Sequence, residues 1–179
     1  MFPKISTGPP ISVFFILSYK TANEKKFVVA DIDKCTGCGA CELICALEKE
    51  KKFDSRFSRI KVQRSHQLVN IPVACRLCKN APCVIACSRD ALKQSEERGV
   101  IMIDDSKCDN CGWCIETCPY GAIMVHPEKK VVIMCDLCGG QPKCVDWCPE
   151  GALELLTQKE SDKKARKATV NKLIPETWR

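Results

Sequence analysis

The sequence has two histidines, 6% aromatic residues and no apolar run long enough to cross a bilayer. The first shortage leaves little material for imidazole catalysis or for histidine-based metal sites. At 179 residues the chain holds one domain or two small ones folded together, which excludes a large catalytic barrel. It has no G-x-G-x-x-G, Walker loop or nucleophile elbow, and Gly139 and Gly140 are a spacer inside a cysteine group, not a phosphate cradle. His66 and His126 stand outside every cysteine group and read as ordinary surface residues. A convincing export signal is also missing. Lys4 precedes an unbroken apolar run only over residues 13–17, with no small-x-small cleavage site and no twin arginine. Residues 1–26 therefore read as an extended arm or the product of a misassigned start codon.

What the chain has in excess is cysteine. Sixteen fall in four groups with none left over: Cys35, Cys38, Cys41, Cys45; Cys75, Cys78, Cys83, Cys87; Cys108, Cys111, Cys114, Cys118; and Cys135, Cys138, Cys144, Cys148. The first and third groups share the spacing C-x2-C-x2-C-x3-C, and the second and fourth widen the middle gap to four and five residues. Eight disulfides would suit a secreted mini-protein, but this spacing is too regular for a bridge framework. Zinc sites use two well-separated cysteine pairs, whereas three or four cysteines crowd each loop here. One set holding zinc or a [3Fe-4S] cluster stays open, because soft thiolates accept either.

The run resembles that of bacterial-type ferredoxins, in which three closely spaced thiolates wrap one [4Fe-4S] cube and the fourth ligates another cluster. Two-residue gaps let a loop curl around three corners of a cube, while the last cysteine of each group has already moved into the next element. Pro119 after Cys118 and Pro149 after Cys148 turn the chain at that point, where Cys45 and Cys87 are followed by Ala46 and Ser88. The formal charge of +6 would suggest an anionic partner such as nucleic acid. Four oxidised clusters with their thiolates carry about −8, which leaves about −2 and removes that argument.

A repeat organises the rest. Lys34 before Cys35 matches Lys107 before Cys108, each after a strand-like stretch: Val28, Val29, Ala30 and Val100, Ile101, Met102, Ile103. After the group ends, Ala91-Leu92, Ala122-Ile123 and Ala152-Leu153 align, preceded by Asp90, Gly121 and Gly151, residue types suited to a turn with positive φ. With so little chain between cysteines, the clusters are expected to replace much of a conventional core and folding to depend on metal. Residues 46–74 are the longest cysteine-free connection, with an exposed alternating strand over residues 59–63, and are expected to cover a cluster or meet a partner. Trp113 and Tyr120 flank the third group, where rings shield a cluster or simply pack. Residues 159–172 read as a solvated basic helix, followed by a tail in which Trp178 would anchor a docking arm.

These four groups, over residues 27–156, resemble the four-cluster iron-sulfur subunits of the dimethyl sulfoxide reductase electron-transfer family. The stretch from Val73 to Cys83 and the compact fourth group look like the short cytoplasmic members that serve tungsten or molybdenum enzymes, such as aldehyde oxidoreductases and the tungsten benzoyl-CoA reductase. The resemblance implies an α+β fold of two interleaved bacterial-ferredoxin-like modules, groups 1 and 4 forming one and groups 2 and 3 the other. It gives residues 1–26 and 157–179 as extensions. It also implies four [4Fe-4S] clusters, held by Cys35, Cys38, Cys41 with Cys148; Cys135, Cys138, Cys144 with Cys45; Cys75, Cys78, Cys83 with Cys118; and Cys108, Cys111, Cys114 with Cys87. The implied role is a cytoplasmic relay of single electrons between a catalytic tungsten- or molybdenum-pterin subunit and another redox protein. That role involves no catalytic residue, no nucleic acid and no membrane insertion. A free polyferredoxin, or a subunit of a hydrogenase or formate dehydrogenase, is the rival.

Overall fold

Strand formers bracket the cysteine groups and pair over long stretches of chain. The computed structural model describes residues 25–65, 69–97 and 99–174. In chain order the elements are β1 (Lys26–Ala30), α1 (Ala40–Glu50), a 3-10 turn (Ser55–Phe57), β2 (Lys61–Ser65), β3 (Val69–Val73), α2 (Pro82–Ile85), β4 (Leu92–Gln94) and β5 (Ile101–Ile103). There follow α3 (Trp113–Glu116), β6 (Met124–Val125), β7 (Val132–Ile133), a second 3-10 turn (Leu137–Gly140), α4 (Lys143–Asp146), β8 (Leu153–Thr157) and α5 (Gln158–Leu173). All strands among the described residues pair two by two and antiparallel: β1 with β8, β2 with β3, β4 with β5, β6 with β7.

The pairings tie cysteine groups to one another. β1 leads into the first group and β8 leaves the fourth, with Phe27 opposite Leu156 and Ala30 opposite Leu153. β4 leaves the second group and pairs with β5, which leads into the third. The short helices repeat the arrangement, α1 packing on α4 and α2 on α3. Arg76 joins the two halves, its guanidinium 4.3 Å from the Phe27 ring and 5.5 Å from that of Tyr120.

A conventional core exists after all, and it is laced with thiols. Phe27, Val28, Ile60, Leu92, Ile101, Val132, Met134 and Leu153 are buried in one cluster with Cys41, Cys45, Cys75, Cys83, Cys114, Cys135 and Cys144. Leu92 of β4, Ile101 of β5 and Val132 of β7 show how strands of two or three residues each place a side chain in this mass. The connection after the first group forms the end of α1, a 3-10 turn and the β2–β3 hairpin. Its strand begins at Lys61, two residues later than the sequence suggests, and Ile60 and Val62 face inward. The hairpin lies against the first cysteine loop: Arg64 donates to the Gly37 carbonyl at 3.0 Å and pairs with the buried Glu42 at 3.3 Å, and Asn70 reaches the Cys35 carbonyl.

The C-terminal basic helix forms as expected. Thr157 and Glu160 close a capping box at its start, and Lys164 ties it to Asp31 at 3.3 Å and Glu154 at 2.7 Å. His66, Trp178 and residues 1–24 lie outside the described residues.

Gly37 has φ +74°, and a Cβ there would collide with the Asn70 side chain, whereas at Gly112, φ +85°, it would meet nothing. Alanine at either position costs about 1–2 kcal/mol of left-handed strain. Gly37→Ala should therefore lower the temperature of cluster loss, read from visible absorption at a fixed scan rate, by clearly more than Gly112→Ala. Equal shifts would show that the hairpin does not clamp this loop.

Candidate metal centres

Every cysteine group makes the same backbone reversal. The second residue of the first gap has positive φ in all four: Gly37 at 74°, Leu77 at 49°, Asn110 at 58° and Leu137 at 59°. Gly39, Gly112 and Gly139 repeat it after the second cysteine. Interleaving left-handed residues in a tight loop turns successive N–H groups to one side, a concavity that suits an anion such as a thiolate-ligated cluster. Leucine tolerates this conformation poorly, so Leu77 and Leu137 hold strain that the surroundings must enforce. Both are buried. In the third and fourth groups a carboxylate locks the turn, Asp109 accepting from the Cys111 N–H at 3.2 Å and Asp136 from that of Cys138 at 3.1 Å.

The thiols gather across groups. Cys35, Cys38, Cys41 and Cys148 line one small pocket. Cys87, Cys108, Cys111 and Cys114 line another, with Trp113 and Asn110 at its wall. The charge of Cys118 bears on Cys75 and Cys83, and Cys78 lies within the same reach of both. Cys45, Cys135 and Cys138 act together on Cys144. In both pockets three thiols of one group meet the last thiol of another. Among the described residues no three histidine, cysteine or acidic side chains close in on one point as a single metal ion requires.

Burial dominates the chemistry of these thiols. It pushes Cys41 up to about 12, helped by Glu42 and its neighbours Cys35 and Cys38. It pushes Cys135 to about 12 and Cys75 and Cys114 to about 11, and it raises Cys45, Cys83 and Cys144 as well. A metal-free chain therefore keeps these groups protonated, and only a strongly positive centre would draw out the thiolates. Backbone donors already aim at sulfur: Arg59 N–H at Cys45 Sγ and Ala152 N–H at Cys148 Sγ, both at 3.3 Å. Soft thiols gathered in short loops, many of them buried and some with N–H groups aimed at sulfur, fit an iron-sulfur cluster.

The structure corrects one reading and refines another. His126 is 3% exposed, not a surface residue, and its ring packs edge-on against Phe57 at 5.4 Å. Nδ1 accepts the N–H groups of Glu128 and Lys129 at 3.1 and 3.0 Å, and Nε2 lies 3.5 Å from Glu50. Nothing in the local pattern marked this, because the residues that bury it are distant in sequence. Trp113 and Tyr120 are both exposed, and Trp113 lines the pocket of Cys87, Cys108, Cys111 and Cys114. Asp90, Gly121 and Gly151 take positive φ as their place in the repeat required.

A family model described as a 4Fe-4S dicluster domain matches residues 66–158. The chain is 39% identical over 137 residues to the aliphatic sulfonate oxidoreductase, polyferredoxin-like subunit, of Pyrococcus furiosus, covering 75% of this chain and 79% of that one. It is 32% identical over 148 residues to the thiosulfate reductase electron transfer subunit PhsB of Salmonella typhi, covering 74% and 76%. Among solved structures it is similar to the active site complex BamBC of benzoyl coenzyme A reductase in complex with benzoyl-CoA, at 26% identity and a TM-score of 0.45 over 80% of this chain and 88% of that one. That last likeness is too loose to carry an argument. The family match and the extent of the two sequence relationships establish that the chain belongs to the 4Fe-4S dicluster domain family.

Proposed function

We propose that this chain is the electron-transfer subunit of a cytoplasmic oxidoreductase, holding four [4Fe-4S] clusters that pass single electrons between a catalytic tungsten- or molybdenum-pterin subunit and a second redox protein. The observation that carries it is the order in which the thiol sets adjoin. Cys41 of the set with Cys35, Cys38 and Cys148 bears on Cys144. Cys75 bears on Cys135, and Cys83 on Cys114. These influences would order the sets in a row: Cys35/38/41/148, then Cys45/135/138/144, then Cys75/78/83/118, then Cys87/108/111/114. Cys38 and Cys111, the exposed cysteines, fall in the two end sets, while the middle sets have none. A row buried in its middle and open at both ends suits transfer between two partners.

A bound cluster supplies one-electron chemistry, and the chain's part is to hold, space and tune it. The sixteen thiolates would be the ligands in these four sets, with the N–H groups of Arg59 and Ala152 stabilising charge on Cys45 and Cys148. The first and fourth groups would make one ferredoxin-like module and the second and third the other, in line with the β1–β8 and β4–β5 pairings. Residues 27–156 would be the cluster domain. The names of the relatives, a polyferredoxin-like subunit and an electron transfer subunit, support the role. The pterin-metal partner rests on the resemblance of the cysteine groups to subunits that serve such enzymes.

Anaerobic isolation from native extract followed by elemental analysis tests this. About sixteen irons per chain with co-purifying tungsten or molybdenum is the expected result. Sixteen irons on a protein running alone at 20.0 kDa would make it a free carrier, and about twelve irons with one zinc would remove one link of the row. The shared-ligand scheme is tested separately. Cys118→Ala should degrade the cluster of Cys75, Cys78 and Cys83 while sparing that of Cys108, Cys111 and Cys114; loss of the latter alone in spectra of the reduced protein would contradict it.

A further inference from the structure

A ladder of charged side chains runs beside one interior thiol set, and holding the cluster does not require it. Arg59 stands at its joint. Its backbone N–H donates to Cys45 Sγ at 3.3 Å, Nη1 meets Asp136 at 3.1 Å, and Nη2 lies 3.7 Å from Glu50. Lys49 closes on the same Asp136 carboxylate at 2.7 Å, and that carboxylate accepts the Cys138 N–H. The ladder therefore begins on Cys45 and ends on Cys138, two members of the set with Cys135 and Cys144. At its far side Glu50 faces the Nε2 of buried His126. All four charged side chains are partly buried, so water screens them weakly.

We propose that Arg59, Lys49, Asp136 and Glu50 form a balanced charge group that sets the reduction potential of the cluster held by Cys45, Cys135, Cys138 and Cys144. Arg59 favours the reduced state and Glu50 the oxidised one. The inference rests on the four-cluster reading. Adding an electron to a buried cluster adds negative charge, which a nearby cation stabilises and a nearby carboxylate opposes. Two cations against two carboxylates leave the ladder neutral, so removing one member exposes the charge of its partner. Around the Cys87/108/111/114 set, by contrast, the ion pairs of Arg89 with Asp109 and of Lys107 with Asp104 are exposed. Arg59 is thus a positioning and tuning residue, acting through charge on a cluster whose ligands are cysteines.

The test is a mediated redox titration of the anaerobic holoprotein, followed by EPR and visible absorption, with the affected signal assigned by Cys45→Ser. Arg59→Gln keeps the backbone N–H on Cys45 and removes only the cation. It should shift the reduction equilibrium of that one cluster about tenfold toward the oxidised form, or 59 mV for one electron. Glu50→Gln should shift it in the opposite direction, and Arg59→Lys should stay near wild type. Shifts of the same sign in Arg59→Gln and Glu50→Gln, no shift in either, or a shift confined to another cluster would overturn the proposal. If Arg59→Gln loses iron, Glu50→Gln decides the question alone. A wild-type protein with fewer than four reducible clusters would instead mark failure of the underlying reading, which the iron content shows independently.

Discussion

The reversal of the backbone inside each cysteine loop is the constraint on which the rest depends. A loop that must present three thiols to one point cannot stay on the right-handed side of the Ramachandran map, and in all four groups it crosses over at the same position, Gly37, Leu77, Asn110 or Leu137. Once the loop has turned, the third cysteine opens a short helix and the fourth points away from its own group. β1 pairs with β8 and β4 with β5, which brings the first group beside the fourth and the second beside the third.

The energetics run in the same direction. The left-handed leucines cost free energy, and the small apolar cluster around Ile60, Val132 and Met134 offsets it. The turn carboxylates work in the same direction as that cluster, since their charged forms are held by the N–H groups of Cys111 and Cys138. The hairpin and the end of α1 add a second layer of restraint around the first group, through Glu42, Arg64 and Asn70, where glycine at positions 37 and 39 leaves the loop soft.

Cysteine spacing made most of the candidate site legible, because a ligand set that sits in short loops is written in consecutive residues. The turns at Asp90, Gly121 and Gly151 were equally legible, since the repeat aligned them and their residue types tolerate the conformation. Leu77 and Leu137 were not, because leucine's own preference argues against what the loop imposes. His126 was missed for a different reason. Its neighbours Val125 and Glu128 are exposed, and what covers it is Phe57 and Glu50 from the other end of the connection. The same long-range packing turned Arg59 from a strand residue into the joint of an ion-pair ladder.

The cavity lined by Cys35, Cys38, Cys41 and Cys148 has a consequence for biosynthesis. Three of its walls leave the ribosome early and the fourth arrives only when nearly all of the fold has been made, as does β8, the partner of β1. A nascent chain can curl its first loop but cannot close the pocket around it. Completion of the first site therefore reports that the whole domain has been translated, and a truncated product stays visibly open to the cell's iron-loading and proteolytic machinery.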